Sequence, residues 1–219
     1  RLLGVSLTGI MDNHYTNLPT ADFLKKLKAT AVEVNKELAK TLKIPQSTAI
    51  TCVKPSGTVS QLVDSASGIH TRHSPYYIRT VRCDTKDPLT SFMIEKGFPN
   101  EPDVTNPTSV TVFSFPIKSP DRAVCRNDVG AIQQLEIWLL YQKHWCEHKP
   151  SVPISVKDHE WMDVGAWVYK NFDHVAGISF LPYADHVYQQ APYQDCDKKQ
   201  YENLLKQMPN GVDFSAFVE

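Results

Sequence analysis

Two kinds of hydrophobic spacing alternate along this chain. Between residues 21 and 42, Phe23, Leu24, Leu27, Ala31, Val34, Leu38 and Leu42 recur at intervals of three and four, the spacing of one face of an α-helix. Thr20 or Asp22 supplies its start signal and Pro45 stops it. Arg1–Leu18 opens with the strand-like LLGVSLTG and ends in a polar turn, Asp12-Asn13-His14. Short apolar or alternating runs predict strands over Ser47–Lys54, Ser109–Phe115, Val152–Val156 and Gly177–Leu181. Further helices are predicted in between. A short one begins near Thr58, and Asp87–Gly97 carries Pro88 in its first turn and Gly97 as its C-terminal cap. Asp128 starts a long helix to about His148, with Ile132, Leu135, Leu139 and Trp145 on one face. Asp158 starts one through Val164, Trp167 and Val168, and Asp195 or Asp197 caps a last one ending near Met208-Pro209. Strands alternating with helices favour parallel pairing and an α/β architecture. In such folds ligands sit at the carboxyl ends of the strands.

Composition narrows this picture. With 219 residues, 42% of them hydrophobic, the chain can bury a real core as one domain or two small ones, and residues 1–219 are expected to form a single α/β unit. A net charge of −1 exerts no global pull toward nucleic acid or membrane. No run of eighteen apolar residues and no signal-peptide pattern occurs, so a soluble, cytoplasmic protein is expected. The five cysteines (Cys52, Cys83, Cys125, Cys146, Cys196) are odd in number and form no CxxC pair, which argues against a disulfide scaffold or a four-cysteine zinc site. The chain opens at Arg1 directly into an apolar stretch, as a piece of a longer polypeptide would.

The stretch Ala49–Arg82, AITCVKPSGTVSQLVDSASGIHTRHSPYYIRTVR, concentrates the candidate chemistry. An apolar run leads into Pro55-Ser56-Gly57-Thr58-Val59-Ser60 and then a helix start. Pro55 sets φ for a turn, Gly57 lets a ligand approach the backbone, and Ser56, Thr58 and Ser60 add hydroxyls beside outward-pointing N–H groups. This is no Walker A loop, since GxxxxGK[ST] is absent. On the hexapeptide alone, an ordinary Pro-Ser-Gly turn with a Thr cap is the simpler reading. Downstream, His70, Arg72, His73, Tyr76, Tyr77 and Arg79 lie between Gly68 and Pro75 or just beyond. A loop with His70, Arg72 and His73 as a cofactor or substrate rim competes there with a solvated loop carrying one structural arginine.

Other clusters are weaker. His144 and His148 share a face of the long helix, but no third ligand or HExxH glutamate joins them. Favourable charges at a helix C-terminus account for them. Asp185-His186 and Asp195-Cys196 pair acid with base or thiol in sequence, yet a carboxylate beside a thiol raises its pKa and disfavours a thiolate.

The Ala49–Arg82 run, together with LLGVSLTGIMDN, DHEWMDVGAWVYKNFDHVAGISFLP and DHVYQQAPYQDC, resembles the C-terminal part of the catalytic domain of adenosylcobalamin-dependent (class II) ribonucleotide reductases. Within that family, the resemblance is to the monomeric ribonucleoside-triphosphate reductase type. It covers essentially the whole chain. It implies the second half of a ten-stranded α/β barrel, with parallel strands alternating with helices, whose turn at Ser56, Gly57, Thr58, Val59 and Ser60 holds the phosphates of a ribonucleotide substrate. It implies adenosylcobalamin as cofactor, the remainder of the catalytic domain and a thioredoxin-like reductant as partners, and replacement of the ribose 2′-hydroxyl by hydrogen through a thiyl radical. The family's radical cysteine, reducing pair and active-site glutamate would lie upstream of Arg1, and its shuttle cysteines beyond Glu219. No catalytic residue and no metal ligand is therefore expected within this chain. Two alternatives are a non-catalytic nucleotide- or phosphate-binding module and the large subunit of another reductase class. The second would be expected to carry a tyrosine pair near the C-terminus, whereas the one adjacent pair, Tyr76-Tyr77, is far from it.

Overall fold

A computed structural model describes residues 2–12, 17–183 and 188–217 of the chain. In order, the elements are β1 (Leu2–Ser6), α1 (Ala21–Thr41), β2 (Ala49–Cys52), α2 (Val59–Leu62), β3 (Tyr76–Asp84), α3 (Pro88–Glu95), β4 (Asn100–Pro102), β5 (Val110–Lys118), α4 (Ala131–His144), β6 (Pro153–Val156), α5 (Trp161–Lys170), β7 (Ser179–Pro182), β8 (Tyr193–Asp195) and α6 (Lys198–Gln207). They fall into two compact units, residues 1–72 with 121–183 and residues 73–120 with 184–219. Asn13, His14 and the Asp185-His186 pair lie outside the described residues.

The first unit is the α/β part. Its strands pair in parallel, β1 with β2 and β6 with β7. Helix α1 starts where Thr20 accepts a hydrogen bond from the Phe23 N–H at 3.3 Å. Its heptad-like stripe is only partly used: Leu24 is buried, while Phe23, Val34, Leu38 and Leu42 are exposed. The core is carried by α4, whose Leu135, Trp138 and Tyr141 are buried. One group of contacts joins Trp138 to Ile154, Val156 and Trp167. Another joins Tyr141 and Trp145 to Val53, Ile69 and Met11. Indole N–H groups buried in this core find acceptors, Trp138 at Pro150 O (3.0 Å) and Trp145 at Cys52 O (2.7 Å).

Helix α4 is shorter at both ends than its sequence predicts. It starts at Ala131 because Gly130 N–H is taken by Gln133 Oε1 and Ala131 N–H by Glu160 Oε1. Asp128 instead accepts from Cys125 N–H at 2.8 Å. It ends at His144 because the chain then turns to run along β2, where Glu147 N–H donates to Thr51 O. His144 and His148 therefore do not share a helix face.

The second unit corrects the expectation of an all-parallel strand arrangement. Its four strands run β4-β5-β3-β8, and every pairing is antiparallel. Strand β3 matches β5 over nine residues, from Tyr76 opposite Lys118 to Asp84 opposite Val110. Tyr76, Tyr77 and Arg79, expected in a loop because Gly68 and Pro75 bracket the histidines, lie in β3. Pro75 in fact stands immediately before the strand, a position where its missing N–H removes no ladder bond. Asp87 caps α3 through Leu89 N–H at 2.8 Å, and Asp197 caps α6 through Gln200 N–H at 2.7 Å. Among the described residues no helix is long and apolar enough to cross a membrane.

Candidate phosphate-binding turn

Strand β2 delivers the candidate turn, and Glu147 holds that strand. Its carboxylate Oε2 accepts from Ile50 N–H (2.7 Å), Thr51 N–H (3.1 Å) and the Thr51 hydroxyl (3.3 Å). Burial alone would raise the pKa of Glu147, but the donors of Thr51 and Ile50 and the charge of Lys28 outweigh it and hold the carboxyl below its ordinary value. Beyond Cys52 and Val53, both buried, the chain emerges at Lys54 and Pro55.

Ser56 and Ser60 close the turn on themselves. Ser60 N–H donates to Ser56 Oγ at 3.0 Å, and the Ser60 hydroxyl donates to Ser56 O. Ser60 is fully buried. Gly57, Thr58 and Val59 between them are exposed, and among the described residues no acceptor is within hydrogen-bond reach of their N–H groups. Thr58 makes no side-chain capping bond to α2, so the Thr-capped turn is not formed. A Cβ built on Gly57 meets nothing within 4 Å. Among the described residues, three adjacent unpaired amides and an unbonded hydroxyl at an exposed turn are donors that suit an oxyanion. Helix α2 is one turn long, so the attraction is that of local N–H groups and not of a macrodipole.

The floor under the turn is residues 64–68. Ser56 N–H donates to Ser67 Oγ at 2.7 Å. Gly68 sits at φ +56°, and a Cβ there would lie 2.7 Å from Lys54 O. Only glycine supplies both the left-handed backbone and that close approach. The Thr8 hydroxyl bridges Ala66 O and Gly68 N–H, both at 2.9 Å. In the sequence Ser67 carries no signal of its own, and Gly68 marks only the start of the histidine loop. Their shared signal is the short spacing of small residues in Ser65-Ala66-Ser67-Gly68, where backbone packs against backbone.

The three rim residues part company. His70 is half-buried, with Nδ1 2.7 Å from Ser67 O. Burial lowers its pKa, against the opposing effect of its hydrogen bond to Ser67 O. Its side chain lines a cavity of about 100 Å³ with Thr71, Gln134, Ser155 and apolar neighbours. Arg72 is buried and paired with Asp12. His73 lies in the second unit, where its Nε2 is 3.1 Å from Asp195 Oδ1 and its ring stacks on Tyr193. The turn and His70 thus share one unit, and His73 belongs to the other.

Two of the cysteines sit where a thiolate is disfavoured. Burial, then proximity to Cys52, pushes the Cys146 thiol up to about 12. Burial, Asp197 and Asp195 raise that of Cys196. Among the described residues no group of three or more His, Cys, Asp or Glu is arranged to hold a metal ion. The cavity beside His70 is well below the roughly 300–1,000 Å³ of ordinary ligand sites. It does not fit a corrin, and no residue of this chain is assigned to one.

Comparison with known proteins bears on this geometry. No family model matches the chain. It is 30% identical, over 98% of its length, to a probable adenosylcobalamin-dependent ribonucleoside-triphosphate reductase of Dictyostelium discoideum. It is 29% identical over 82% of its length to the adenosylcobalamin-dependent ribonucleoside-triphosphate reductase of Euglena gracilis, and 28% over 86% to that of Lactobacillus leichmannii. The chain spans only 25–29% of the length of these relatives. A crystal structure of a B-12 dependent (class II) ribonucleotide reductase matches with a TM-score of 0.84 at 24% identity, covering 99% of this chain and 35% of that one. The likeness to that structure establishes a shared fold.

Proposed function

We propose, from a similarity to adenosylcobalamin-dependent ribonucleoside-triphosphate reductases that runs across essentially the whole chain, that this is a segment of such an enzyme and that its turn Ser56–Ser60 holds the phosphates of the ribonucleotide substrate. The full-length protein then converts ribonucleoside triphosphates to 2′-deoxyribonucleotides with adenosylcobalamin, which supplies the radical when bound. The parallel pairs β1–β2 and β6–β7 contribute to the second half of a ten-stranded barrel. The remaining catalytic domain and a thioredoxin-like reductant are its partners.

The observation that carries the substrate role is the exposed, unpaired amide run Gly57-Thr58-Val59 at the carboxyl end of a parallel strand. That is where α/β folds bind their ligands. Within this reading the chain's own residues bind and orient. The three amides and the Thr58 hydroxyl donate to phosphate oxygens, while Ser56 and Ser60 keep the turn in shape. Holding the phosphates fixes where the ribose sits, a contribution of positioning and not of bond-making. None of the five cysteines here is given a part in the radical chemistry.

Amide hydrogen exchange of the full-length protein tests the reading. A ribonucleoside triphosphate is expected to slow exchange at Gly57, Thr58 and Val59 by about tenfold or more, an amide in a ligand hydrogen bond being shielded from solvent. Unchanged exchange there at saturating substrate overturns it.

A further inference from the structure

The guanidinium of Arg72 is buried behind the turn, and its partners come from two distant places in the sequence. Nε is 2.7 Å from Asp12 Oδ1 and Nη2 is 3.2 Å from Asp12 Oδ2. Nη2 also donates to Asp64 O at 2.9 Å, and Nη1 is 3.2 Å from Asp64 Oδ1. Asp12 Oδ2 in turn accepts from Ala66 N–H at 2.7 Å. The backbone of Arg72 is fixed separately, by Val124 O and Arg126 N–H. One fork-shaped cation thus ties the segment after β1 to residues 64–66, which lead directly to Ser67 and Gly68 beneath the turn. Asp64 is held at φ +47°, a left-handed conformation uncommon outside glycine, with its carbonyl on the guanidinium.

Two carboxylates surround this one cation, so Arg72 presents no net positive charge to a ligand. We infer that Arg72 is a positioning residue, with Asp12 as its partner: together they set the height and orientation of the Gly57–Val59 amides by fixing the floor they stand on, and touch no substrate themselves. The inference rests on the phosphate reading above. It requires arginine specifically, because a lysine ammonium cannot serve Asp12 in bidentate fashion and reach Asp64 as well.

The test uses the full-length protein and three variants, Arg72→Lys, Asp12→Asn and Gly57→Val. Affinities for a ribonucleoside triphosphate and for the unphosphorylated nucleoside are measured together with melting temperature. For Arg72→Lys, triphosphate affinity and KM are expected to worsen by about tenfold while nucleoside affinity stays within about twofold. Exchange at Gly57–Val59 in the free protein is expected to change as well. Unchanged triphosphate affinity, or an equal loss for nucleoside and triphosphate, overturns the inference. If Arg72→Lys has no effect but Gly57→Val weakens triphosphate binding, the phosphate reading stands and the role of Arg72 falls. If neither acts, the phosphate reading fails and takes this inference with it. Should Arg72→Lys fail to fold, Asp12→Asn, which keeps the guanidinium and removes one acceptor, is read by the same criteria.

Discussion

At the scale of the residue, Gly57 and Gly68 divide two tasks that the sequence leaves merged. A Cβ at Gly68 would meet the Lys54 carbonyl at 2.7 Å, and the left-handed backbone alone would cost roughly 1–2 kcal/mol. Gly68 therefore serves the fold. Gly57 has open space around it and no positive φ, so nothing in the folded chain requires glycine there. That makes Gly57→Val a selective probe. The full-length variant is expected to melt within a degree or two of the parent, since exposed substitutions rarely shift stability by more than about 0.5 kcal/mol. Its KM for ribonucleoside triphosphate is expected to rise by about tenfold or more as the branched side chain occupies the anion's place. Steady-state kinetics beside a melting curve decide this, and an unchanged KM would count against the site. The turn around Gly57 and Thr58 was legible in the hexapeptide because turn chemistry is local, whereas a phosphate role for Ser56–Ser60 came only from the family resemblance. The distinct roles of Ser56, Ser60 and Arg72 were not legible, because their partners are set by contacts such as Asp12 with Arg72, sixty residues apart.

At the scale of the element, β2 is a four-residue strand paired with β1 on one edge and clasped by a single carboxylate near the other. The Glu147 carboxyl is held below its ordinary pKa by the Ile50 and Thr51 donors. A depressed carboxylate stabilises the fold fully above its unfolded value of about 4.3, and that stability is lost as pH falls through the lower folded value. Glu147→Gln, which keeps one acceptor and loses the charge, is expected to destabilise by about 1 kcal/mol at pH 7, at the low end for charged hydrogen bonds because the residue is exposed. The gap between parent and variant should close as pH is lowered below about 4, seen in thermal melts taken across that range. A gap that stays constant with pH would show that the charge is not what clasps β2. Elements defined by their own periodicity and caps, such as α1, α3 and α6, stood in the sequence nearly as they stand in the fold. Strand β3 did not, because its identity comes from β5, a partner about thirty residues away. The ends of α4 were misplaced for the same reason, being fixed by Glu160 and by β2.

At the scale of the whole molecule, the α/β class was legible from alternating strands and helices, but the antiparallel sheet of the second unit was not, since pairing direction is a tertiary property. The surface of the first unit carries the remaining argument. Strand β1 exposes Leu2 (71%), Leu3 (44%) and Val5 (39%), and α2 exposes Val59 (63%) and Leu62 (86%). Leu38 and Leu42, in and just after the last turn of α1, are exposed as well. Among the described residues β1 is paired only with β2. An apolar strand with an open edge is a template for association. The relatives are three to four times as long as this chain, and under the function proposed above further chain would cover these faces. The 219 residues expressed alone are therefore expected to bind an environment-sensitive hydrophobic dye and to self-associate at micromolar concentration, and to show no reductase turnover. The full-length protein is expected to be dye-silent at the same concentration. Sedimentation and dye fluorescence on the two proteins separate the cases. A monodisperse, dye-silent short chain would mean that these faces tolerate water and need no covering. Turnover by that chain would place the radical chemistry among the residues described here, and the division of labour proposed for them would have to be abandoned.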